Sequence, residues 1–322
     1  MFGFVAMATV SFVIAAVLGI FLIPLLHKLK FGQEIREEGP KWHQKKSGTP
    51  TMGGLIFIAS SVVALLAVLL IKKDFGVLKS CFAIMGCAIA FGAVGFVDDY
   101  IKVILKRNLG LTAKQKFSLQ VLVSLVYSVC LIGFGGGSTE VFIPFAKVYV
   151  NFGYFVVPLN MLVMLATVNS VNLTDGLDGL AATVTVVTAA FFAAAAKKVN
   201  SEAVFWVCAA VLGGLLGFLI YNKYPAKVFM GDTGSLFLGG VLAASAVYIK
   251  NPFVLIIAGF VYVMESLSVI IQVTYFKKTG KRIFKMSPIH HHFEMCGFSE
   301  RKIVLMFSAV TLLLSIISYT AI

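Results

Sequence analysis

Carboxylate side chains suited to phosphate and metal chemistry lie in three short motifs between long apolar runs. Asp98 and Asp99 are adjacent in the first motif, Asp175 and Asp178 lie in the second, and Asp232 stands among glycines in the third. Magnesium is commonly held by one or two carboxylates together with substrate phosphates, and adjacent carboxylates raise the pKa of one of the pair, as a general base requires. The motifs predict a site for phosphate and a divalent cation, with Asp232 as the metal ligand.

The second motif has an internal pattern that limits what it can bind. Asn169, Asn172, Asp175 and Asp178 recur at a spacing of three. Steps of three drift by about 60° each on an α-helix, so the first and last side chains would lie on opposite sides. The motif also contains two glycines, which favour a break in the helix. We therefore expect a helix end, a turn and a new helix start, with four polar side chains that do not form one metal cage.

Further candidates for binding an anionic substrate lie at the ends of the apolar runs. Lys102 follows Asp98 by four residues, so the two would share a helix face. Three successive histidines point in different directions on a helix or strand, so we expect hydrogen bonds to a polar substrate rather than a shared zinc ion. Together with Asn169, Asn172, Asp175 and Asp178, the predicted substrate-binding residues are Lys46, Thr51, Lys102, Asn222, Gln272, His290, His291 and His292.

Each motif taken alone also has a purely structural interpretation. Asp232 is a good helix-capping residue, and the Asp98–Lys102 pair is compatible with a solvated helix end. The segment 169–180 is compatible with a polar turn between two helices. Glu265 lies within an apolar run, where a structural hydrogen bond and a role in substrate binding are equally open.

The elements that must position these residues are membrane-spanning helices. The chain has 322 residues, of which 59% are hydrophobic and 13% charged, and its mean hydropathy is +0.96. Repeated apolar runs of about 20 residues are typical of a polytopic α-helical membrane protein, and continuous rather than alternating runs argue against a β-barrel. We predict an all-α single domain over 1–322 with about ten spans, at 3–26, 52–71, 81–97, 117–134, 154–171, 177–196, 204–220, 235–249, 252–276 and 303–321.

The distribution of charge predicts the orientation of these spans. If the loop after the first span is cytoplasmic, the loops on that side hold 20 of the 27 basic residues. The positive-inside rule then places both termini outside the cytoplasm. Five of the six aspartates also fall at cytoplasmic helix ends. The net charge of +13 is thereby explained by topology and by anionic lipids or substrates, without nucleic acid as a partner.

The motifs in their order resemble one family. They lie at residues 48–54, 97–102, 169–179, 229–235 and 287–294. Together they resemble the phospho-N-acetylmuramoyl-pentapeptide transferases, within the superfamily of polyprenyl-phosphate N-acetylhexosamine-1-phosphate transferases. The acidic motifs are shared across the superfamily, whereas the Thr-Pro-Thr-Met-Gly-Gly and triple-histidine segments are typical of this branch. The resemblance covers essentially the whole chain.

The resemblance implies an enzyme of the bacterial inner membrane with its active site facing the cytoplasm. Such an enzyme moves phospho-MurNAc-pentapeptide from UDP-MurNAc-pentapeptide to undecaprenyl phosphate, giving lipid I and UMP, and requires Mg²⁺. The family is dimeric and is inhibited by nucleoside antibiotics. Asp232 matches the Mg²⁺ ligand, and Asp98 and Asp99 match the pair that handles the lipid phosphate, with Asp98 the favoured base. The family's nucleoside-pocket positions correspond to Asn172, Asp175, Asn222, Phe229 and Gln272. Its positions near the phosphates and sugar correspond to Lys46, Thr51 and the three histidines.

Two other functions are compatible with parts of this pattern. A related transferase of the superfamily would move GlcNAc-1-phosphate instead, although the triple-histidine and Thr-Pro-Thr-Met-Gly-Gly segments argue against it. A transporter or lipid flippase would place ionisable residues at mid-membrane depth, where only Glu265 is expected. Whether Asp98 acts as a base, positions the acceptor, or shares with Asp99 the role of a phosphorylated nucleophile is open at this point.

Overall fold

The structure is a computed structural model, and it describes residues 2–29, 46, 48–104, 110–134 and 138–322. Part of the charge count that predicted the topology falls outside these residues. The basic residues concerned are Lys30, Arg36, Lys41, Lys45, Lys106 and Arg107. All sixteen predicted site residues lie within the described part.

Twelve α-helices and one β-hairpin make up the described fold. The helices are α1 Phe2–Lys28, α2 Gly54–Lys72, α3 Phe75–Ile104, α4 Ala113–Phe134, α5 Val156–Thr174, α6 Leu180–Lys198, α7 Glu202–Asn222, α8 Gly231–Tyr248, α9 Leu255–Ala258, α10 Phe260–Thr279, α11 Ile289–Met295 and α12 Glu300–Ala321. The strands are β1 Glu140–Ile143 and β2 Val148–Asn151, and short 3-10 turns occupy Gly153–Phe155 and Pro252–Val254.

Each predicted span falls on a helix, which confirms the all-α polytopic fold class. Eight of the described helices are long and apolar enough to cross a membrane. The predicted span 252–276 differs from expectation, because the segments Pro252–Ala258 and Phe260–Thr279 are bent by 83° around Gly259. If that bent pair is one span, the described part of the chain has up to nine. The count of ten and the orientation of the termini stay predictions.

Helix α8 is the centre of the bundle. Every residue from Thr233 to Val247 is buried, although the helix begins with the charged Asp232. A helix buried on every side belongs inside a bundle, where its backbone hydrogen bonds are satisfied internally and its side chains meet other helices. This helix is not among the eight above, because its first turns are rich in glycine and polar residues. This position places the start of α8, and hence Asp232, where several other helix ends meet.

The β-hairpin marks the opposite end of the bundle. Its strands pair antiparallel, and the backbone N–H of Phe142 donates to the carbonyl of Lys250 just after α8. The N–H of Phe145 donates to the carbonyl of Ala321 at the end of α12. At the start of α1, Gly3 packs against Trp206 near the start of α7. Both chain ends therefore lie at the hairpin end, away from Asp232.

Candidate active site

A cavity of about 620 Å³ lies where the helix ends converge around the start of α8. Its lining draws on the ends of α3, α5 and α7, the starts of α4, α8 and α11, and the loops between them. Twelve of the sixteen predicted site residues line it. They are Lys46, Asp98, Asp99, Lys102, Asn172, Asp175, Asp178, Asn222, Phe229, Asp232, His290 and His291.

The motif between α5 and α6 forms the predicted helix end, turn and helix start, and we call its residues 175–179 the hinge. Helix α5 ends at Thr174, and α6 begins at Leu180 after Gly179, whose φ of +78° suits glycine. The polar side chains of the motif have separate partners. Asn169 bonds to Gln120 on α4, Asn172 donates to Asp232 at 2.8 Å, and Asp178 accepts from Lys46 at 2.7 Å. Asn169, Asn172 and Asp178 thus have three different protein partners, and the expectation that the four side chains do not form one metal cage stays a prediction.

Three carboxylates form what we call the carboxylate cluster: Asp98 and Asp99 near the end of α3, and Asp232 in the first turn of α8. One oxygen from each lies within 4.8 Å of the others, and no other group of three such ligands occurs in the part of the chain that the structure describes. Hard oxygen donors at this spacing fit Mg²⁺, which prefers carboxylates and phosphates and retains waters.

Two lysines balance the carboxylate cluster. The Nζ atom of Lys102 lies 2.6 Å from Asp98 Oδ2 and 2.8 Å from Asp232 Oδ2, which confirms that Asp98 and Lys102 share a helix face. Lys116 near the start of α4 donates to the same Asp232 oxygen at 2.8 Å. In the sequence, Lys116 counted only towards the positive charge of the cytoplasmic loops. The signal that could have identified it is its place at the start of a helix, on the side where the aspartate motifs lie.

The two aspartates of α3 have different surroundings. Asp99 accepts hydrogen bonds from the backbone N–H of Thr233 at 2.9 Å, from its hydroxyl at 2.7 Å, and from the N–H of Asp232 at 3.2 Å. It therefore caps the N-terminus of α8, whose first N–H groups have no partner within the helix. Among the residues that the structure describes, Asp98 accepts one backbone bond, from Leu111 at 2.8 Å, besides its contacts with Lys102 and Lys116.

Gly231 allows the start of α8 to come close to these groups. Its φ is +70°, and a Cβ added there would lie 2.5 Å from Asp99 Oδ2 and 2.6 Å from Thr51 Oγ1. Thr51 is buried directly behind this glycine and does not line the cavity. Its predicted contact with the substrate phosphates stays a prediction.

A second charged cluster, which we call the Lys46 corner, consists of Lys46, Asp178 and Glu300. The Lys46 ammonium lies 2.7 Å from Asp178 Oδ1 and 2.7 Å from Glu300 Oε2. Burial lowers the pKa of Lys46, but hydrogen bonds and charge from the two carboxylates outweigh it and raise the pKa overall. Lys46 is therefore held in its charged form beside the cavity. Glu300 was missed by sequence reasoning because it belongs to none of the motifs.

The three histidines have three different environments. His290 Nδ1 lies 3.0 Å from Glu265 Oε2, and both residues are fully buried. This contact favours the structural interpretation of Glu265. His291 lines the cavity, and its Nδ1 lies 2.6 Å from Glu294 Oε2. His292 lies outside the cavity lining and accepts a bond from the N–H of Lys285 at 3.2 Å.

Asp175 lines the cavity beside the other acids. Burial, and to a smaller extent the negative charges of Asp232, Asp99 and Asp178, together raise the pKa of its carboxyl to about 8. A carboxyl group in this state is suited to donating a hydrogen bond at neutral pH. Of its neighbours in the predicted nucleoside pocket, Asn222 donates to the carbonyl of Val228 at 2.9 Å and thereby shapes the loop before Phe229.

Two other predicted residues lie away from the cavity lining. Asn169 connects α5 to α4 through Gln120, with 2.8 Å from its Nδ2 to Gln120 Oε1. Gln272 accepts from the N–H groups of Ile283 and Phe284 and so anchors the loop after α10. It lines a separate cavity of about 340 Å³. The proposed substrate contacts of both stay predictions.

Comparison with known proteins connects this site to one family. The pattern of glycosyl transferase family 4 matches residues 81–250, and signature 1 of the phospho-N-acetylmuramoyl-pentapeptide-transferases matches residues 46–58. The phospho-N-acetylmuramoyl-pentapeptide-transferase of Clostridium botulinum (strain Eklund 17B / Type B) is 51% identical over 97% of this chain and 94% of its own length. That of Halalkalibacterium halodurans is 50% identical over 96% and 94%, and that of Caldanaerobacter subterraneus is 49% identical over 96% and 95%. This chain belongs to the phospho-N-acetylmuramoyl-pentapeptide-transferase family.

Proposed function

We propose that this protein transfers phospho-MurNAc-pentapeptide from UDP-MurNAc-pentapeptide to undecaprenyl phosphate, giving lipid I and UMP in peptidoglycan synthesis. Family membership over nearly the whole chain supports this reaction. The observation that carries it most directly is the convergence of Asp98, Asp99 and Asp232 with two lysines in one cavity. Phosphoryl transfer asks a protein mainly for positioning and for neutralisation of charge, which is what this arrangement supplies.

The proposal assigns the donor to the hinge side of the cavity. Asn172 and Asp175 carry hydrogen-bonding groups for the nucleoside, and Phe229 supplies an apolar face beside them. Lys46 and His291 bring donors for phosphate and sugar oxygens. These assignments follow the family resemblance and rest on the common cavity that the residues line.

Magnesium dependence is part of the proposal. Asp232 would hold the ion, with Asp98 and Asp99 close enough to contribute oxygens, since the three ligand atoms lie within 4.8 Å. A bound Mg²⁺ would neutralise the diphosphate and stabilise the charge that develops on the departing UMP. Lys102 and Lys116 add positive charge to the same side of the cavity, so the chain itself compensates part of the substrate's charge.

The acceptor phosphate is assigned to Asp98. A phosphate monoester is largely ionised at neutral pH, with a second pKa of about 6, so it needs little help from a base. Asp99 is occupied by three hydrogen bonds from the start of α8, and this engagement favours Asp98 as the residue that meets the acceptor. We infer that Asp98 and Lys102 orient the phosphate for direct attack on the donor.

The membrane setting brings the two substrates together. Eight of the described helices are apolar enough to cross a bilayer, and the cavity lies at one end of the bundle. We propose that this end faces the cytoplasm, because the loops on its side hold most of the basic residues of the sequence. A lipid phosphate would then reach the cavity from the bilayer and the nucleotide from the cytoplasm.

Two further expectations come from the resemblance to the family. We propose that the protein is a homodimer and that nucleoside antibiotics occupy the donor side of the cavity. The mass of the detergent-solubilised protein, corrected for bound detergent, checks the first. Competition between such an antibiotic and the UDP donor checks the second.

UMP release tests the proposed reaction. The purified protein in detergent or nanodiscs is given undecaprenyl phosphate with either UDP-MurNAc-pentapeptide or UDP-GlcNAc. We expect UMP only with the pentapeptide donor, and only when the lipid phosphate is present. Turnover with UDP-GlcNAc alone would favour the related GlcNAc-1-phosphate transferase, and flux of lipid through liposomes without UMP would favour a flippase.

A further inference from the structure

Glu300 joins three segments that are far apart in sequence. One of its oxygens, Oε2, accepts from Lys46 Nζ at 2.7 Å and from the backbone N–H of Asp178 at 3.2 Å. Glu300 is the first residue of α12, Lys46 precedes α2, and Asp178 lies in the hinge between α5 and α6. Lys46 and Asp178 line the cavity, whereas Glu300 does not. Glu300 therefore makes no direct contact with a substrate in the cavity, and apart from its charge it can act only through these two partners.

The hydrogen-bond capacity of Lys46 shows what remains for a ligand. An ammonium group has three N–H donors and no acceptor. Two of them are used by Asp178 and Glu300, and the ammonium also lies 5.9 Å from the centre of the Tyr224 ring. In the described part of the chain no hydrogen-bond acceptor takes the third donor, and Lys46 lines the cavity. Asp178 is itself held in place, because its second oxygen accepts from the N–H of Ala226 at 2.9 Å. The two carboxylates thus fix the direction of the third donor.

We propose that Glu300 is a positioning residue, which holds the Lys46 ammonium so that its remaining N–H group meets an anionic oxygen of the nucleotide donor. The inference deepens the proposed function and rests on it for the identity of the donor. The side chain of Lys46 has many rotamers, and fixing it before the substrate arrives avoids an entropy loss on binding. Glu300 supplies this restraint from outside the cavity.

The negative charge of Glu300 has an effect on donor binding that opposes this restraint. Glu300 is negative, and by Coulomb repulsion alone its removal would strengthen the binding of a diphosphate. The Glu300 side chain is 10% exposed and the Asp178 side chain 3% exposed, and both are neutralised in part by Lys46. We therefore expect the loss of restraint on Lys46 to exceed the gain from reduced repulsion.

A purely structural role for Glu300 is the other alternative. An acid in the first turn of a helix stabilises its N-terminus, and Glu300 would then only attach α12 to the hinge. Such a role predicts a change in thermal stability with no selective change in the KM for the donor. The two substrates of the reaction therefore provide the discriminating readout.

Two variants separate these effects. Glu300→Ala removes the acceptor, and we expect the KM for UDP-MurNAc-pentapeptide to rise about five- to tenfold, as for the loss of one hydrogen bond, while the KM for undecaprenyl phosphate stays within about twofold. Glu300→Gln keeps an oxygen acceptor without the charge, and we expect it to restore most of the donor affinity. Glu202→Gln is the matched control, because Glu202 is also the first residue of a helix but lies at the other end of the bundle.

A double-mutant cycle with Lys46→Met completes the test. If Glu300 acts through Lys46, Glu300→Ala causes no further rise in donor KM in the Lys46→Met background. An equal rise in both backgrounds, a fall in donor KM, or an unchanged KM with only lower thermal stability would each overturn the proposal. If Glu300→Ala is not recovered folded, Glu300→Asp replaces it. This variant withdraws the carboxylate by one methylene, and we expect a smaller rise in the donor KM.

The failure of this inference is distinguishable from failure of the proposed function. If the wild-type protein releases no UMP, the reaction is wrong, and calorimetric binding of UDP-MurNAc-pentapeptide to wild type and Glu300→Ala still measures the role of Glu300. Turnover by the wild type with equal donor affinity in both proteins would contradict the role of Glu300 alone.

Discussion

Two charged clusters border the same cavity and arrange similar groups in opposite ways. In the carboxylate cluster, three acid oxygens converge within 4.8 Å, and the ammonium groups of Lys102 and Lys116 each contact Asp232 at 2.8 Å. In the Lys46 corner, one ammonium is central and the carboxylates of Asp178 and Glu300 hold it from two sides. Converging oxygens suit a cation, whereas a restrained ammonium presents a donor to an anion. The comparison teaches that arrangement, rather than residue type, decides what each cluster binds.

The largest expected effect comes from removing the metal ligand of the carboxylate cluster. Asp232→Asn keeps the size of the side chain but removes its charge, and we expect UMP release to fall on the order of 10³-fold. Asp74→Asn is the control, because Asp74 is exposed and caps the start of α3 at the other end of the bundle. Steady-state UMP release by both variants checks this prediction, and near-normal activity of Asp232→Asn would remove that residue from the metal site.

The second prediction concerns the packing of the hinge against the buried histidine. A Cβ added at Gly176 would lie 2.2 Å from His290 Nε2, so Gly176→Ala must displace His290 or the hinge. We expect thermal unfolding to show a loss of about 1–3 kcal/mol, together with reduced turnover. In Gly86→Ala, the added methyl meets nothing within 4 Å, and because alanine favours the helix we expect no loss. Equal stability of the two variants would contradict the packing described here.

The Lys46 corner gives a smaller and more selective effect. Lys46→Met keeps much of the apolar stem but removes the ammonium, and we expect the KM for the UDP donor to rise about tenfold with a smaller change in kcat. Lys227→Met, an exposed lysine on the same side of the protein, serves as the control. If the loss instead fell on kcat alone, Lys46 would belong functionally with the carboxylate cluster.

The last prediction concerns the protein without substrate: its stability depends on pH through Asp175. The folded protein raises the pKa of this carboxyl to about 8, so folding favours its protonated form. Below about pH 4 the group is protonated in both states and contributes nothing. As the pH rises towards 8, only the unfolded state loses the proton, so the wild type becomes less stable relative to Asp175→Asn. Unfolding temperatures without ligand should differ by a few degrees at pH 8 and converge at pH 4, and a constant difference would contradict the shift.

Local patterns in the sequence predicted much of the fold. Long apolar runs predicted the spans because hydrocarbon length fixes the length of a helix. The spacing of Asn169, Asn172, Asp175 and Asp178, with the two glycines between them, predicted the break between α5 and α6, which spans residues 175–179. The bend around Gly259 was not predicted, because the apolar run is continuous across it. Nor was the β-hairpin, whose two strands of four residues are too short to give a pattern.

The candidate site was predictable where motifs carried it and not where distant segments meet. Asp98 and Lys102 are four apart, so helix geometry alone paired them. The contact between Lys46 and Glu300 spans 254 positions, and that between Lys116 and Asp232 spans 116. Such pairs depend on how the helix ends converge, which periodicity within one segment does not encode. The sequence therefore predicted the chemical groups of the site more completely than the partners that hold them.

Metal dependence of the carboxylate cluster is the central claim, and a Mg²⁺ titration of UMP release tests it most directly. The wild-type protein is stripped with EDTA and given UDP-MurNAc-pentapeptide and undecaprenyl phosphate while Mg²⁺ is added back. We predict no UMP release after EDTA and recovery with added Mg²⁺. The control is Asp178→Asn in the Lys46 corner, which should require the same Mg²⁺ concentration for activation as the wild type. UMP release that continues undiminished in EDTA would contradict the account.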